Sequence, residues 1–445
     1  TRSSLLPDTV RAMWGRPTVL TLALVSALAA CSTGESNESA ATTTTSSVDA
    51  RRTTARDRDG GGGPVGALGS LLGEEEIGRC VERAASSAGK ARPRSLPAVV
   101  REVERIRRLR FRRVPRPRYL RRPQMERRIR RELDRYPSTE LAADARALVA
   151  LGAVPRGTNL KALLKRTVPG QVAGFYDPAT GELVVGSDGR GQLDAVERLT
   201  LAHELEHALA DQVLRMPPFL KDDQAPDGRE DAELAGLSLI EGDATLLTEA
   251  FATEHLSLVD AFRSIGPALA AERRFAKLPH YLQASTTFPY EDGLNFVCSV
   301  FERGGWKAVD RAYRRPPATS AQIMFPQRYF AREQTVDPPD PRPPGRGWKL
   351  VDRQAFGAAN LLWLFQAPGG DTGRGLSNAR ERAAAWAGGE LRVFGRRGKS
   401  AVGVTLVERR GERGLCASMR AWFKAAERRG SIGCSGRIIR ASLQP

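Results

Sequence analysis

The chain has 445 residues, 41% of them hydrophobic, which is typical of a globular protein with one large or two medium domains. No apolar run reaches the roughly 18 residues that span a bilayer, so the composition excludes a membrane-spanning helix. The formal net charge is +18, and residues 101–135 alone carry sixteen arginines against five acidic residues. We interpret this segment as a solvated helix face and a strand. The alternative is a surface attracted to anionic lipid or wall polymer.

The first 31 residues have the pattern of an export signal. A short basic region after Met13 precedes an apolar stretch from Val19 to Ala30, and small residues lead up to Cys31. This order predicts a secretory signal peptide. The sequence Leu-Ala-Ala-Cys at 28–31 resembles the lipobox of bacterial lipoproteins, which implies that Cys31 carries lipid in the mature chain. The alternative is an ordinary signal peptide with a chance cysteine.

Residues 32–70 are predicted to form a flexible linker. They are rich in Ser and Thr and then in Gly, so they cannot bury enough apolar surface to offset the entropy of ordering. A lipid at the signal site without a spanning helix would anchor the chain to a membrane, outside the cytoplasm. Because an exported protein rarely meets nucleic acid, we expect none as a partner.

Four cysteines remain beyond the signal, and export would expose them to an oxidising environment. They are Cys80, Cys298, Cys416 and Cys434. Three pairings are possible. Proximity in the sequence favours Cys416–Cys434, and hence Cys80–Cys298.

The rest of the chain is predicted to divide into a main domain at 71–335 and a C-terminal α/β subdomain at 336–445 packed on it. Helical periodicity and capping residues predict helices at 74–90, 97–110, 124–136, 141–151, 194–214, 229–254, 291–303 and 375–387. Residues 111–120 contain two prolines and predict at best an edge strand. A turn sequence, Asp-Pro-Ala-Thr-Gly, predicts a hairpin at 171–185, and further strands are predicted at 391–394 and 401–407.

The sequence His203-Glu204-Leu205-Glu206-His207 lies inside the predicted helix at 194–214. Histidines four residues apart on a helix lie on one face and can converge on one ion. A glutamate after the first histidine can accept a proton from metal-activated water. This is the signature of zinc metalloproteases; the alternative is a surface helix with incidental histidines. The motif thus predicts His203 and His207 as zinc ligands and Glu204 as the catalytic base.

A catalytic zinc usually has a third protein ligand, and Glu241 is the best candidate. It lies on the next predicted helix beside Gly242, whose small size permits a close helix approach. A third histidine at 213 would define a different subclass of these enzymes, but Val213 stands there. We interpret the other acids of that helix as solvated, and His255 as a surface or capping residue too far along the helix to reach the same ion.

Two further carboxylates lie close to these ligands in the sequence. Asp211 follows His207 by one helical turn, and Asp243 follows Glu241 by two residues. Either could orient a ligand histidine through a hydrogen bond, and either could equally be solvated.

These residues resemble the gluzincin-like zincins, and most closely a group of uncharacterised exported bacterial proteins, often lipoproteins. The matching segments, within residues 97–395, are Gln171–Pro178, Leu201–Gln212, Glu241–Ala244, Phe288–Tyr290 with Gly293, and Pro316–Tyr329. The resemblance implies an α+β fold, mainly helical, with a zincin-like core. In such a core, a twisted sheet with an antiparallel edge strand lies over the metal-binding helix and a second, glutamate-bearing helix. It also implies one Zn²⁺ and a peptide or protein substrate that pairs with the edge strand.

The chain departs from that group at two positions. Glu206 stands where an uncharged residue is expected, and Phe325 stands where such proteins often carry histidine.

Taken as a whole, the sequence predicts a membrane-anchored, extracytoplasmic zinc metallopeptidase. The alternative is a non-catalytic zinc-binding lipoprotein of the cell envelope.

Overall fold

The structure is a computed structural model of the chain, and it describes residues 74–85, 93–187, 192–214, 216, 228–257, 273 and 275–444. The predicted signal peptide with Cys31 and the predicted linker lie outside the described residues. The described part is an α+β fold in which helix predominates, as the sequence predicts.

The helices are α1 (Glu74–Ala85), α2 (Leu96–Arg107), α3 (Arg122–Arg135), α4 (Ser138–Leu151), α5 (Leu160–Thr167), α6 (Ala195–Val213), α7 (Glu230–His255), α8 (His280–Phe301), α9 (Gly305–Arg314), α10 (Ser320–Met324), α11 (Pro326–Phe330), α12 (Ala358–Gln366), α13 (Ala379–Ala384) and α14 (Leu415–Ala425). The strands are β1 (Arg118–Leu120), β2 (Gly174–Asp177), β3 (Glu182–Gly186), β4 (Lys349–Ala355), β5 (Trp386–Arg396), β6 (Lys399–Glu408), β7 (Arg429–Ser435) and β8 (Ile438–Gln444). Short 3₁₀ turns lie at Val168–Gly170, Pro368–Gly370 and Thr372–Arg374.

Helix α6 carries the metal motif and begins at its predicted place for a local reason. The carboxylate of Asp194 accepts a hydrogen bond from the backbone N–H of Glu197 (2.8 Å), and the carboxylate of Glu197 accepts one from the N–H of Asp194 (2.9 Å). This reciprocal pair satisfies amides that the first turn of a helix leaves without partners. The predicted capping box is confirmed.

A three-stranded sheet lies against α6 and places one strand beside the metal motif. Its order is β1-β3-β2, with β1 parallel to β3 and β2 antiparallel to it, which confirms the predicted hairpin. A Cβ atom on Gly174 of β2 would be 2.6 Å from Cγ2 of Thr200 and 3.2 Å from Cγ of Glu204. Because Gly174 has no side chain, this edge strand can pass directly over the motif.

Helices α7 and α8 pack with their backbones in contact. A Cβ on Gly242 would be 2.2 Å from the carbonyl oxygen of Gly293, and a Cβ on Gly293 would be 2.3 Å from the carbonyl oxygen of Ser238. The two glycines therefore allow the close approach, and the helix that approaches Gly242 is α8.

Helix α8 begins much earlier than predicted. The sequence predicts its start at Glu291, and proline is unfavourable inside a helix because it lacks an N–H group and clashes with the preceding helical turn. In the structure Pro289 lies inside a helix that starts at His280. Its neighbour Phe288 is buried against Trp363, with ring centroids 5.7 Å apart, and tertiary packing of this kind overrides local preference.

Replacing Gly242 by alanine is expected to destabilise the protein by about 3 kcal/mol, because the added methyl group would overlap the Gly293 carbonyl and force α7 and α8 apart. Gly78 is the matched control, since it lies on an exposed part of α1 and a Cβ there would meet nothing within 4 Å. Alanine at that position should stabilise the helix by about 0.5–1 kcal/mol. Chemical unfolding of the two variants measures both effects, and similar stabilities would contradict the backbone contact.

The C-terminal part of the chain forms a five-stranded antiparallel sheet with the order β4-β5-β6-β8-β7. It shares one hydrophobic core with the helices. Polar contacts add to this packing: Glu230, at the start of α7, accepts a hydrogen bond from the Ala355 amide (2.6 Å), and Arg380 donates to Asp292 on α8 (2.7 Å). The sheet and the helical part are therefore packed as one body along the start of α7 and the middle of α8.

Two disulfides are formed, and they are the two pairings that the sequence favours. Cys80–Cys298 joins α1 to α8, and Cys416–Cys434 joins α14 to β7. The first disulfide joins two helices that are far apart in the sequence, and the second joins a helix to the strand that follows it. Among the described helices, none is both long enough and apolar enough to cross a membrane.

Candidate metal centre

Helices α6 and α7 bring the three predicted metal ligands together. His203 and His207 lie one turn apart on α6, with ring centroids 4.7 Å apart. Oε2 of Glu241, on α7, is 3.3 Å from Nε2 of His203 and 3.5 Å from Nε2 of His207. The three ligand atoms lie within 4.8 Å of one another, and all three side chains are buried.

These spacings fit a bound metal ion. In tetrahedral coordination with bonds of about 2.1 Å, neighbouring ligand atoms are about 3.4 Å apart. The contact between His207 Nε2 and Glu241 is too long for a hydrogen bond, and both this nitrogen and Oε1 of Glu241 are buried without a hydrogen-bond partner among the described residues. Such atoms are costly to bury unless another group satisfies them. The group can therefore bind a metal ion.

The pKa values of Glu241 and His203 are shifted in the direction that favours metal binding. Burial alone would raise the pKa of Glu241, but His207 and His203 outweigh it and hold the pKa below its ordinary value. Burial also lowers the pKa of His203, and Glu241 only partly offsets this effect. An anionic carboxylate and a neutral imidazole are the forms that coordinate a metal.

Glu204 lies beside this group and beneath the edge strand. It is completely buried, and neither carboxylate oxygen has a hydrogen-bond partner among the described residues. Burial and the charge of Glu241 raise the pKa of Glu204 well above its usual range. The backbone N–H of Tyr176 on β2 lies near enough to weaken this rise, but it is outside hydrogen-bonding geometry. Within the described residues, the carboxylate of Glu204 therefore makes no hydrogen bond that would stabilise the fold.

Thr248 orients the first histidine. Its hydroxyl donates a hydrogen bond to the backbone carbonyl of Ala244 (2.7 Å), so its oxygen is left to accept one from Nδ1 of His203 at 3.3 Å. With the proton on Nδ1, the lone pair of His203 lies on Nε2, the atom that faces Glu241. This contact was not predicted, because threonine within a helix has no distinctive sequence signal.

The structure gives Asp211 and Asp243 other partners than a ligand histidine. Asp211 accepts a hydrogen bond from the hydroxyl of Tyr176 on β2 (3.0 Å), which ties the edge strand to the end of α6. Asp243, for which the sequence left open a bond to a histidine or a solvated position, is buried, and its carboxylate accepts hydrogen bonds from Arg107 and Tyr313. The carboxylate of Asp243 thus joins α7 to α2 and α9.

Arg107 is the centre of a buried ion network that joins α2, α6, α7 and α9. Its Nε donates to Glu206 (3.0 Å) and its Nη2 to Asp243 (2.9 Å). Its Nη1 lies 2.7 Å from Asp310 in an ion pair without hydrogen-bond alignment, and Tyr313 donates its hydroxyl to Asp243 (2.8 Å). Burial would lower the pKa of Arg107, but Asp243, Glu206 and Asp310 outweigh it and raise the pKa.

This network explains Glu206, where the chain departs from the family pattern. The side chain of Glu206 is buried against Arg107 and is not part of the group of potential metal ligands. Burial and the charge of Asp243 raise its pKa well above the ordinary value, and Arg107 only partly offsets the rise. Glu206 precedes His207 and Asp243 follows Glu241 by two residues, so the network fixes the two helices next to the ligands.

A second group of potential ligands, Glu102, Glu254 and His255, lies at the end of α7. Arg105 already bonds both carboxylates there, with its Nε 2.8 Å from Glu102. His255, which we interpreted as a surface residue, is buried, and its Nε2 is 3.2 Å from Glu102. Because the arginine supplies the positive charge, this group is explained as an ion-pair cluster.

No protein-family model, curated protein or solved structure matches the chain. The likeness to gluzincin-like zincins therefore rests on sequence motifs alone.

Proposed function

We propose that the protein is a zinc metallopeptidase in which His203, His207 and Glu241 bind one zinc ion and Glu204 is the general base. Two imidazole nitrogens and one carboxylate form a donor set that catalytic zinc commonly uses, with a fourth position left for water or substrate. The observation that carries the proposal is Glu204, a completely buried carboxylate that has no hydrogen-bond partner in the described part of the chain and lies directly beside this donor set. A metal site with a purely structural role has no use for such a group.

Zinc in this set would polarise the attacked carbonyl group and lower the pKa of water at its open position. Glu204 is placed to accept the proton of the attacking water and to pass it to the leaving amine. Strand β2 is an edge strand of the sheet, the place where the resemblance puts an extended substrate peptide. The ring of Tyr290 stacks on His203 with centroids 6.2 Å apart, and its hydroxyl is our candidate for stabilising the oxyanion.

We place this activity outside the cytoplasm, on a membrane to which lipid at Cys31 anchors the chain. The support is the predicted signal sequence together with the two disulfides, since disulfides persist in oxidising compartments.

Metal analysis of the purified protein tests the site. Elemental analysis is expected to find about one zinc ion per chain, and the His207→Ala and Glu241→Ala variants should bind zinc at least about 100-fold more weakly, because each loses one of three ligands. His280→Ala is the matched control, since that imidazole contacts Gln366 and is not in the ligand group. Full zinc content in the His207→Ala variant, or equal loss in the control, would disprove the assigned site.

A further inference from the structure

The positive charge of the protein is concentrated in one short segment. Residues 101–135 carry a net charge of +11, from sixteen arginines and five acidic residues, out of +18 for the whole chain. The basic patch is defined here as residues 108–131, which comprise the segment after α2, strand β1 and most of α3. Nothing in the proposed hydrolytic site uses these arginines.

Most of this charge is exposed and is not neutralised within the protein. Eight exposed arginines of the basic patch have no acidic side chain within ion-pair distance among the described residues: Arg108, Arg112, Arg113, Arg116, Arg121, Arg127, Arg130 and Arg131. Glu182 on β3 contacts both Arg118 (3.4 Å) and Arg128 (3.1 Å), and so holds strand β1 next to helix α3. The exposed arginines before and after β1 are therefore carried by elements that pack next to each other.

The same surface exposes apolar side chains. Val114 is 43% exposed and Tyr119 is 42% exposed, and both stand between arginines of the basic patch. Five large hydrophobic side chains are at least 39% exposed in the part of the chain that the structure describes, and two of them lie in the basic patch. A free polyanion would need only the charge. A bilayer surface also accepts an aliphatic side chain and a tyrosine ring at the level of its headgroups.

The basic patch is fixed to the metal-binding helix. The backbone amides of Arg112 and Arg113 both donate to Oε1 of Gln212 (3.1 Å each), and Nε2 of Gln212 donates back to the Arg113 carbonyl (2.9 Å). At the other end of the segment, Tyr119 lies near Glu197 in the first turn of α6, whose charge, after burial, raises the pKa of the tyrosine. The segment thus follows α6 along its length.

We propose that the basic patch binds the surface of a bilayer that contains anionic phospholipid. Its unpaired arginines contact headgroup phosphates, and Val114 and Tyr119 enter the interface. This contact is separate from the lipid at Cys31 and does not depend on hydrolytic activity. It would hold α6, and with it the metal centre, close to the membrane in one orientation.

Vesicle sedimentation tests the proposal with the full chain carrying Cys31→Ser, so that no acyl chain can attach. The protein is expected to bind vesicles of 30% phosphatidylglycerol in phosphatidylcholine much more tightly than pure phosphatidylcholine vesicles. Replacing Arg112, Arg113, Arg116 and Arg127 by glutamine should weaken this binding about 600-fold, since each arginine near an anionic surface contributes about 5-fold. The matched control removes the same amount of charge from four exposed arginines of the C-terminal part, Arg346, Arg396, Arg410 and Arg413. Their replacement by glutamine should change vesicle binding less than about 5-fold.

A Val114→Ser/Tyr119→Ser variant separates a bilayer from a soluble polyanion. It should lose about tenfold in vesicle binding, and added salt should not abolish the difference, because the lost contribution is apolar. Equal losses in the patch and control variants would overturn the proposal. The proposal would also be overturned if the serine variant bound vesicles as well as the unaltered protein and bound duplex DNA equally tightly. The surface would then be a general polyanion site. Unchanged thermal stability and zinc content verify that each variant is folded.

Discussion

Replacing Glu204 by glutamine is expected to abolish peptide hydrolysis while zinc remains bound. Glutamine has the same shape but cannot accept a proton, and the loss of a general base lowers the rate on the order of 100- to 10,000-fold. His203, His207 and Glu241 stay in place, so elemental analysis should find the metal content unchanged. The activity can be measured on fluorescent casein and on a mixed peptide library read by mass spectrometry.

Glu249→Gln is the matched control for this experiment. Glu249 lies on α7, about 12 Å along the helix axis from Glu241, and it is not in the ligand group. Burial raises its pKa to about 7, so it is also a carboxylate out of full contact with water. Activity that survives in Glu204→Gln would reject the assigned base. Zinc binding without activity in the unaltered protein would instead favour the alternative of a non-catalytic zinc lipoprotein.

Replacing Arg107 by methionine is expected to cost about 3–5 kcal/mol of unfolding free energy. The change fills a similar volume but leaves Glu206, Asp243 and Asp310 without their common cation. Removing one partner from a buried ion pair is expensive, because the remaining charge stays away from water. Since Glu206 and Asp243 adjoin the ligands in sequence, zinc affinity should also fall, by about 10- to 100-fold.

Arg135→Met is the control for the loss of an arginine. The side chain of Arg135 is 55% exposed and pairs with Glu132 on the same helix, so its removal should cost less than about 1 kcal/mol. Adding Glu206→Gln to the Arg107→Met variant should restore part of the stability, because one buried carboxylate no longer needs a partner. Equal unfolding free energies for the Arg107 and Arg135 variants would show that the buried network contributes little.

The ligand set could be predicted from sequence because its geometry is mostly local. The spacing of His203 and His207 places both on one face of a helix, and the capping box at Asp194 fixes where that helix begins. Glu241 required one more assumption, that the next long helix packs against the first. The structure bears out this juxtaposition, with Glu241 within 3.5 Å of both imidazoles.

The parts that were missed depend on contacts between distant segments. Arg107 is one of sixteen arginines in its segment, and nothing in the local sequence distinguishes the buried one from its solvated neighbours. Strands β7 and β4 were not predicted, because their exposed residues lack the alternation of apolar and polar residues that marks a half-buried strand. The helix predicted at 375–387 is only the short α13, since β5 already begins at Trp386.

The Cys80–Cys298 disulfide has a consequence for the proposed peptidase activity. All three proposed metal ligands lie between the two bonded cysteines, within one covalent ring of the chain. Autolysis or a foreign protease that nicks this ring once yields two fragments that remain attached through sulfur. A nicked molecule would therefore migrate as intact on a non-reducing gel and keep both ligand-bearing helices together, and only a reductant would release the pieces.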